Sequence, residues 1–382
     1  MIGTLRISTA ALGHNAQALR DLVGPQHAAF VVKGNAYGHG LVETALAIEP
    51  LSTKLCVYAV DEALELRDGG ITKPILILGP VPPNRLGDAI GADAELSLWD
   101  TTYFVRDLGV AAMRAQKRVK VHVKINTGLN RLGLEPTDLP DAVEAYGVIP
   151  SLEIAGIFSH LASAEELDSP FTMLQLGRFN DAYQRAEPAL ASYGAKPIRH
   201  IAASAAAMLW PQTRLDMSRF GIALYGLWPS AQTRDAMNGG TLPLQPALSY
   251  LSELVVVRTV EAGEPVGYGT TYHAPRAMRI GVVPVGYADG VPRALSNNGA
   301  VVIDGARCPI VGRVAMNMFF VDLTPAPNAH VGSTVTLIGR EGHGEVSADD
   351  WAAWSDTINY EIVTRLPSTI PREYTGMGEP AR

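Results

Sequence analysis

The sequence predicts an α/β protein, a (β/α)8 barrel of the TIM type followed by a mostly antiparallel β domain. Three observations carry this prediction. Up to about residue 228, eight short apolar runs alternate with longer stretches of helical composition, the pattern of parallel βαβ units. After Trp228 the texture changes to β-rich runs punctuated by Gly, Pro, Asn and Asp. At 382 residues the chain also exceeds the size at which a single core stops growing, so two domains are expected.

The eight runs are Ala28–Lys33, Leu55–Val60, Pro74–Gly79, Ala94–Trp99, Val119–Ile125, Leu152–His160, Pro197–Ser204 and Met217–Gly226. Between them, segments such as Asp61–Asp68, Thr101–Ala115 and Phe171–Tyr193 place apolar residues three and four apart, as a helix with one buried face requires. A doubly wound open sheet is the structural alternative, weakened because no G-x-G-x-x-G follows the first run. Ser230–Pro246 reads as a polar connector. The runs beyond it are Leu248–Val260, Arg279–Gly286, Ala300–Ile303, Phe319–Leu323 and Thr334–Ile338, with one helix signalled by the capping box Ser347-Ala348-Asp349-Asp350 ahead of Trp351. The expected domains are 1–230 and 231–382, with the first few residues free to join the second.

Composition narrows the function. A net charge of -7 argues against nucleic acid and anionic membrane surfaces as partners. No apolar stretch approaches the roughly 20 residues that span a bilayer. Met1–Asn15 shows no basic segment ahead of an apolar run, and the two cysteines, Cys56 and Cys308, stand far apart in apolar surroundings. A cytoplasmic protein with reduced core cysteines and no metal site is expected.

Active sites of such barrels sit at the C-terminal ends of the strands. Lys33 closes the first run, inside Phe30-Val31-Val32-Lys33-Gly34-Asn35-Ala36-Tyr37-Gly38-His39-Gly40. A lysine in an apolar strand must reach water or find a partner, and a buried one becomes a nucleophile. Arg131 follows the fifth run, His160 closes the sixth, Ser204 closes the seventh and Arg219 opens the eighth. Each has a structural reading too: a solvated lysine or arginine, a core histidine, a helix N-cap. Their convergence on one rim favours chemistry. There is no G-x-S-x-G, no H-E-x-x-H and no metal-ligand cluster, and Gly267-Tyr268-Gly269 is only a glycine pair in a β context. Ser204, with the backbone N–H groups of Gly221 and Ile222, suits an anion. A lysine beside a phosphate cradle suggests pyridoxal 5'-phosphate held as a Schiff base.

These residues resemble a known family. Val32 to Gly40 is similar to the cofactor-lysine signature of bacterial alanine racemases. Lys124-Ile125-Asn126-Thr127-Gly128-Leu129-Asn130-Arg131-Leu132-Gly133 resembles that family's K-x-D-T-G-M-x-R-L-G stretch. Further similar blocks follow in order, Gly156–His160, Ser204–Ala207, Arg219–Gly226, Tyr268–Tyr272, Gly286–Gly290, Val311–Asn317 and Asn359–Glu361, so the resemblance spans the whole chain.

The resemblance implies a head-to-tail homodimer with shared active sites that interconverts L-alanine and D-alanine, whether for cell-wall synthesis or alanine breakdown. It implies that Lys33 carries the cofactor. The phosphate is bound by Ser204, Gly221, Ile222 and Tyr360 with Tyr37 nearby, and His160 lies against the ring and supports Arg219. Tyr268 of the partner subunit and Lys33 act as the two bases. Arg131 touches the cofactor's phenolic oxygen and the substrate carboxylate, which the Met316 amide also binds, while Tyr287 and Arg313 stand at the pocket entrance. Lys124 is a candidate for carbamylation. In the family, Arg219 donates to the pyridine nitrogen where related decarboxylases place a carboxylate. An arginine keeps its proton, so the pyridine stays uncharged and the ring is a weaker electron sink. The chain departs from the pattern at Asn126 and Asn317, where Asp is frequent, and at Gly34, where Ala is usual. A related decarboxylase and a single-barrel pyridoxal-phosphate carrier are the alternatives, the first opposed by Arg219 and the second by the β domain with its Tyr268.

Overall fold

The computed structural model describes residues 2–99, 101, 103–237 and 242–376. Part of the expected connector, 238–241, and the end of the second domain, 377–382, lie outside the described residues. The strands in chain order are β1 (Thr4–Ser8), β2 (Ala28–Val31), β3 (Lys54–Val57), β4 (Ile75–Ile77), β5 (Ala94–Leu98), β6 (Val119–Lys124), β7 (Leu152–Phe158), β8 (Ile198–His200) and β9 (Ser218–Phe220). They continue as β10 (Leu248–Glu253), β11 (Val256–Val260), β12 (Met278–Val283), β13 (Ala300–Ile303), β14 (Ala306–Val311), β15 (Phe319–Asp322), β16 (Thr334–Glu341), β17 (Gly344–Val346) and β18 (Arg372–Thr375).

All eight predicted barrel runs overlap strands of one parallel sheet, ordered β8-β7-β6-β5-β4-β3-β2-β9, with β3 starting one residue ahead of its run. A parallel bridge between Ala203 and Arg219 ties its two ends, with the Arg219 N–H donating to Ala202 O at 3.1 Å. The sheet is therefore a nearly closed barrel, and Arg219 lies on its seam. Helices cover it, among them Val60–Asp68, Tyr103–Arg114 and Phe171–Ser192. Phe30 and Phe220, on the paired strands β2 and β9, are fully buried with ring centroids 6.3 Å apart. Burying such a side chain contributes about 1.5–3 kcal/mol.

Several strands stop short of their apolar runs. β7 ends at Phe158, so His160 lies two residues beyond it; β8 ends at His200; and β9 ends at Phe220, so Arg219 sits inside the strand. Ser204 is not an N-cap. Ala203 holds that position with extended backbone, and Ser204 is the first residue of the helix Ser204–Leu209.

The second sheet is ordered β11-β12-β15-β14-β13-β16-β10-β1-β18, with β17 paired to β16. Among the described residues of this sheet, only the β1–β18 pairing is parallel. The predicted Leu248–Val260 run divides into β10 and β11, and β1, β14, β17 and β18 are strands that the expected runs did not include. The capping box is present: Ser347 Oγ accepts from the Asp350 N–H at 3.0 Å, and Asp350 Oδ2 accepts from the Ser347 N–H at 2.8 Å. Val260, Val266, Met278, Ile280 and Val311 form a core cluster within this part.

Of the described residues, those in Met1–Ala10, Tyr37–Gly40 and Pro246–Arg382 form one compact unit. Those in Ala11–Ala36 and Leu41–Gln245 form the other, which contains the barrel.

Candidate active site

The barrel rim begins at the turn after β2. Gly34, Asn35 and Ala36 have left-handed backbone, with φ of 65°, 54° and 52°, and Tyr37 follows at 52°. A left-handed turn costs roughly 1–2 kcal/mol for each non-glycine residue, so local sequence alone does not choose it. Tertiary bonds hold it: Glu62 Oε1 accepts from the Gly34 N–H at 2.6 Å, and Asn35 Oδ1 accepts from the Leu41 N–H at 2.9 Å. The other Glu62 oxygen accepts from the Tyr58 and Ala59 N–H groups, tying this turn to the one after β3. The outcome is to hold Lys33 half-buried at the rim. Burial, and then the Arg131 guanidinium, lower its pKa below the ordinary lysine value, with Glu62 opposing.

Lys124 ends β6, only 6 % exposed, with its amine 5.5 Å from the centre of the Phe158 ring. Burial and then repulsion from Arg131, Arg219 and Lys33 lower its pKa to about 8. Arg131 stands on the loop after β6. Asn126 organises that loop: its Oδ1 accepts from the Gly128 and Asn130 N–H groups, and its Nδ2 donates to Asn130 Oδ1 at 2.9 Å and Glu135 Oε1 at 3.1 Å. At Gly133 (φ 133°) a Cβ would come within 2.4 Å of the Asn126 nitrogen, so the return of the loop requires glycine.

Arg219, 4 % exposed, is the most constrained group. Its Nη1 donates to His200 Nδ1 at 2.6 Å and to His200 O at 3.0 Å; its Nη2 donates to Ser159 O at 2.8 Å and Ile201 O at 3.2 Å. Burial lowers its pKa to about 10, which leaves it cationic at neutral pH. His160 Nδ1 lies 3.5 Å from Nη2, and burial followed by the Arg219 charge lowers the His160 pKa to about 3, so the ring is neutral. On the other side of the seam, Ser204 Oγ accepts from the Gly221 N–H at 3.1 Å, and Ile222 begins the following turn. Lys33, Lys124, Arg131, His160 and Arg219 thus interact electrostatically in one cluster, and Ser204, Gly221 and Ile222 share a second one on the seam.

The remaining predicted residues belong to the other unit. Tyr268 lies in a 3-10 turn, Tyr268–Thr270, rather than in β structure; positive φ at Gly267 (76°) and Gly269 (70°) bends the chain there and leaves the tyrosine 74 % exposed. A Cβ on Gly269 would stand 3.4 Å from the Arg313 guanidinium carbon, which places Arg313 beside that turn. Met316 is 55 % exposed. Its carbonyl accepts from the Ala288 N–H at 2.9 Å, and the Ala315 carbonyl accepts from the Tyr287 N–H at 3.0 Å. Gly286 allows this, since a Cβ there would meet the Ala315 oxygen at 2.2 Å. Tyr37 packs against Tyr360, ring centroids 6.3 Å apart. The Gly38-His39-Gly40 half of the lysine signature also serves this unit: Arg372 Nε donates to Gly38 O and Tyr374 Oη to His39 O.

The chemistry of the rim is that of an amine held below its usual pKa among further cations, the donor set for an anionic carbonyl cofactor such as pyridoxal phosphate. The class is thus a lysine-bearing barrel enzyme with an appended β domain. Residues 7–229 match the family model described as alanine racemase, N-terminal domain, and residues 247–374 match the alanine racemase C-terminal domain. An alanine racemase from Desulforamulus reducens is 38 % identical over 373 residues, covering 97 % of this chain and 98 % of the relative. One from Symbiobacterium thermophilum is 39 % identical, covering 96 % and 95 %. The crystal structure of alanine racemase from D-cycloserine producing Streptomyces lavendulae superposes with a TM-score of 0.91 at 35 % identity, covering 98 % and 97 %. That of the Bacillus anthracis enzyme with bound L-Ala-P gives 0.88 at 32 % identity, covering 99 % and 96 %. The chain belongs to the alanine racemase family.

One group escaped the sequence reading: Lys54, Glu95, His122 and His200, buried on β3, β5, β6 and β8. The clue was the same as for Lys33, a titratable side chain within an apolar strand.

Proposed function

We propose that this protein is a pyridoxal-phosphate-dependent isomerase that interconverts L-alanine and D-alanine by two opposed bases. The observation that carries the reading is Arg219: a buried guanidinium, cationic at neutral pH, whose bonded partners are carbonyls and a histidine. Pyridoxal phosphate, when bound, draws electrons from the amino acid's Cα and acidifies its proton. Lys33 is the covalent anchor, and Arg219 donates at the ring nitrogen without surrendering its own proton. Ser204, the Gly221 and Ile222 amides and Tyr360 bind the phosphate with Tyr37 beside it, and His160 faces the ring. Arg131 and the Met316 amide orient the substrate carboxylate.

Lys33 takes the Cα proton of D-alanine on one face, aided by its lowered pKa, which leaves more of the amine neutral near pH 7. Tyr268 of the partner subunit takes that of L-alanine on the other face. A homodimer with shared sites is supported by the 74 % exposure of Tyr268 and by the exposed Met316. Tyr287 and Arg313 narrow the entrance to favour a small side chain. Lys124, at about 8, has enough neutral amine to add carbon dioxide, losing one proton and becoming a carbamate that offsets the neighbouring cations. The buried cysteines Cys56 and Cys308 suit a reducing cytoplasm. Among the described residues no helix is long and apolar enough to cross a membrane.

The test is chiral analysis of product from L-alanine, L-serine and L-lysine with the native protein and the Tyr268→Phe variant. Native protein is expected to racemise alanine fastest; the variant keeps the cofactor colour and loses most L-to-D turnover. Faster conversion of serine or lysine overturns the substrate, carbon dioxide release marks a decarboxylase, and unchanged turnover in the variant rejects the two-base assignment.

A further inference from the structure

Behind Arg219 a row of buried groups crosses the barrel interior. His200 Nδ1 accepts from Arg219 Nη1 at 2.6 Å; His200 Nε2 and His122 Nδ1 are 2.8 Å apart; His122 Nε2 and Glu95 Oε2 are 2.7 Å apart. Lys54 Nζ bonds the same Glu95 oxygen and stands 3.3 Å from His122 Nε2. All five residues are buried, and His200 stacks on Phe158 with parallel rings 4.8 Å apart.

Only one placement of hydrogens fits these distances. Arginine can only donate, so His200 Nδ1 must be bare, and a neutral His200 then carries its hydrogen on Nε2. That hydrogen needs a bare His122 Nδ1, which puts the second hydrogen on His122 Nε2, pointing at Glu95. The reverse order would set His200 N–H against the guanidinium and a bare His122 nitrogen against a carboxylate, two conflicts at bonding distance. The near approach of Lys54 to His122 Nε2 needs no bond, because both donors turn to one carboxylate oxygen. Charge states agree. Burial raises the Glu95 pKa, but His122 and Lys54 outweigh it and hold it at about 2; burial lowers His122 to about 4 and places His200 well below the ordinary value.

We propose that Glu95 is a positioning residue for the reaction: acting through His122 and His200, it orders the hydrogens so that Arg219 always finds acceptors for its Nη hydrogens behind it and keeps its remaining donor, Nε–H, for the cofactor's ring nitrogen. This rests on the role given to Arg219 above. Gly156 is part of the device, because a Cβ there would fall 2.0 Å from His122 Nδ1.

The test is long-range ¹H–¹⁵N correlation NMR on [¹⁵N]histidine-labelled holoenzyme, which reports the hydrogen-bearing nitrogen of each ring independently of turnover. Both rings are expected neutral with hydrogen on Nε2 from about pH 6 to about pH 9. A hydrogen on Nδ1 of either ring, or a protonated ring in that range, overturns the proposal. In Glu95→Gln, the order is expected to become mixed, kcat to fall about tenfold with KM within about threefold, and transamination per turnover to rise. Gly156→Ala, which removes no charge, is expected to give a milder form of the same signature. Unchanged tautomers and unchanged partition in both variants overturn it. Loss of racemisation by native protein with the predicted tautomers present would instead reject the role of Arg219 and the proposed function.

Discussion

Two groups of charged side chains occupy neighbouring levels of one barrel, and they are built in opposite ways. The inner group is internally paired: Lys54 faces Glu95, Glu95 faces His122, and the hydrogen of each histidine has an acceptor. The outer group is one-sided: beyond burial, the charges of Arg131 and Arg219 lower the pKa values of Lys33, Lys124 and His160, with Glu62 and Cys56 opposing them at Lys33. A fold that only needed stability would pair or remove the buried Lys124 and Arg219, since uncompensated buried charge is costly. The contrast supports the proposed division of roles, the inner set as scaffold for the Arg219 donor and the outer set as receptor for an anionic cofactor and substrate.

The comparison breaks most visibly at Lys33. Lys33→Ala is expected to abolish covalent cofactor attachment and to lower alanine turnover by at least about a thousandfold, read from absorbance and chiral product. A variant retaining native turnover would leave the outer group without its chemical purpose.

A second difference is pH dependence of stability, measured as thermal unfolding of the cofactor-free protein in carbon-dioxide-free buffer. Lys124 titrates at about 8 in the fold against 10.5 when free, so the unfolded chain binds more protons between those values. Stability therefore rises with pH across that window, with Lys33 acting in the same direction. His122 titrates at about 4 against 6.5, so the inner group's contribution is present above pH 6.5 and is lost as pH falls toward 4. Lys124→Met should flatten the alkaline rise and leave the acid loss unchanged. Flattening of both would mean the two levels are not separate.

The smallest effect concerns Asn126. Asn126→Asp keeps the acceptor for the Gly128 and Asn130 amides but sets a carboxylate against Glu135. The lost donor bond is worth about 1 kcal/mol, read as a several-fold rise in KM for alanine through Arg131 with little change in kcat. An unchanged KM would mean the Asn126–Glu135 contact does not position Arg131.

The barrel was legible because each of its strands is an apolar run bounded by helical sequence, and periodicity is a local signal. The Ser347 capping box was legible for the same reason. β14 was not, because Arg307 and Pro309 interrupt its apolar pattern, nor was β18, whose partner β1 lies at the other end of the chain. The left-handed turn at Gly34–Tyr37 is held by Glu62, a contact between turns that no local pattern encodes. Of the site, motif blocks marked Lys33, Arg131 and Arg219. Glu95, His122 and His200 each stand alone on separate strands, and only the closing of the barrel brings them into one row.

Cα deuterium exchange tests the central claim most directly. Native protein incubated with L-alanine in heavy water should yield D-alanine carrying deuterium at Cα, with exchange and inversion proceeding together. Cofactor colour without exchange would contradict the account and point to a carrier of the cofactor rather than a racemase.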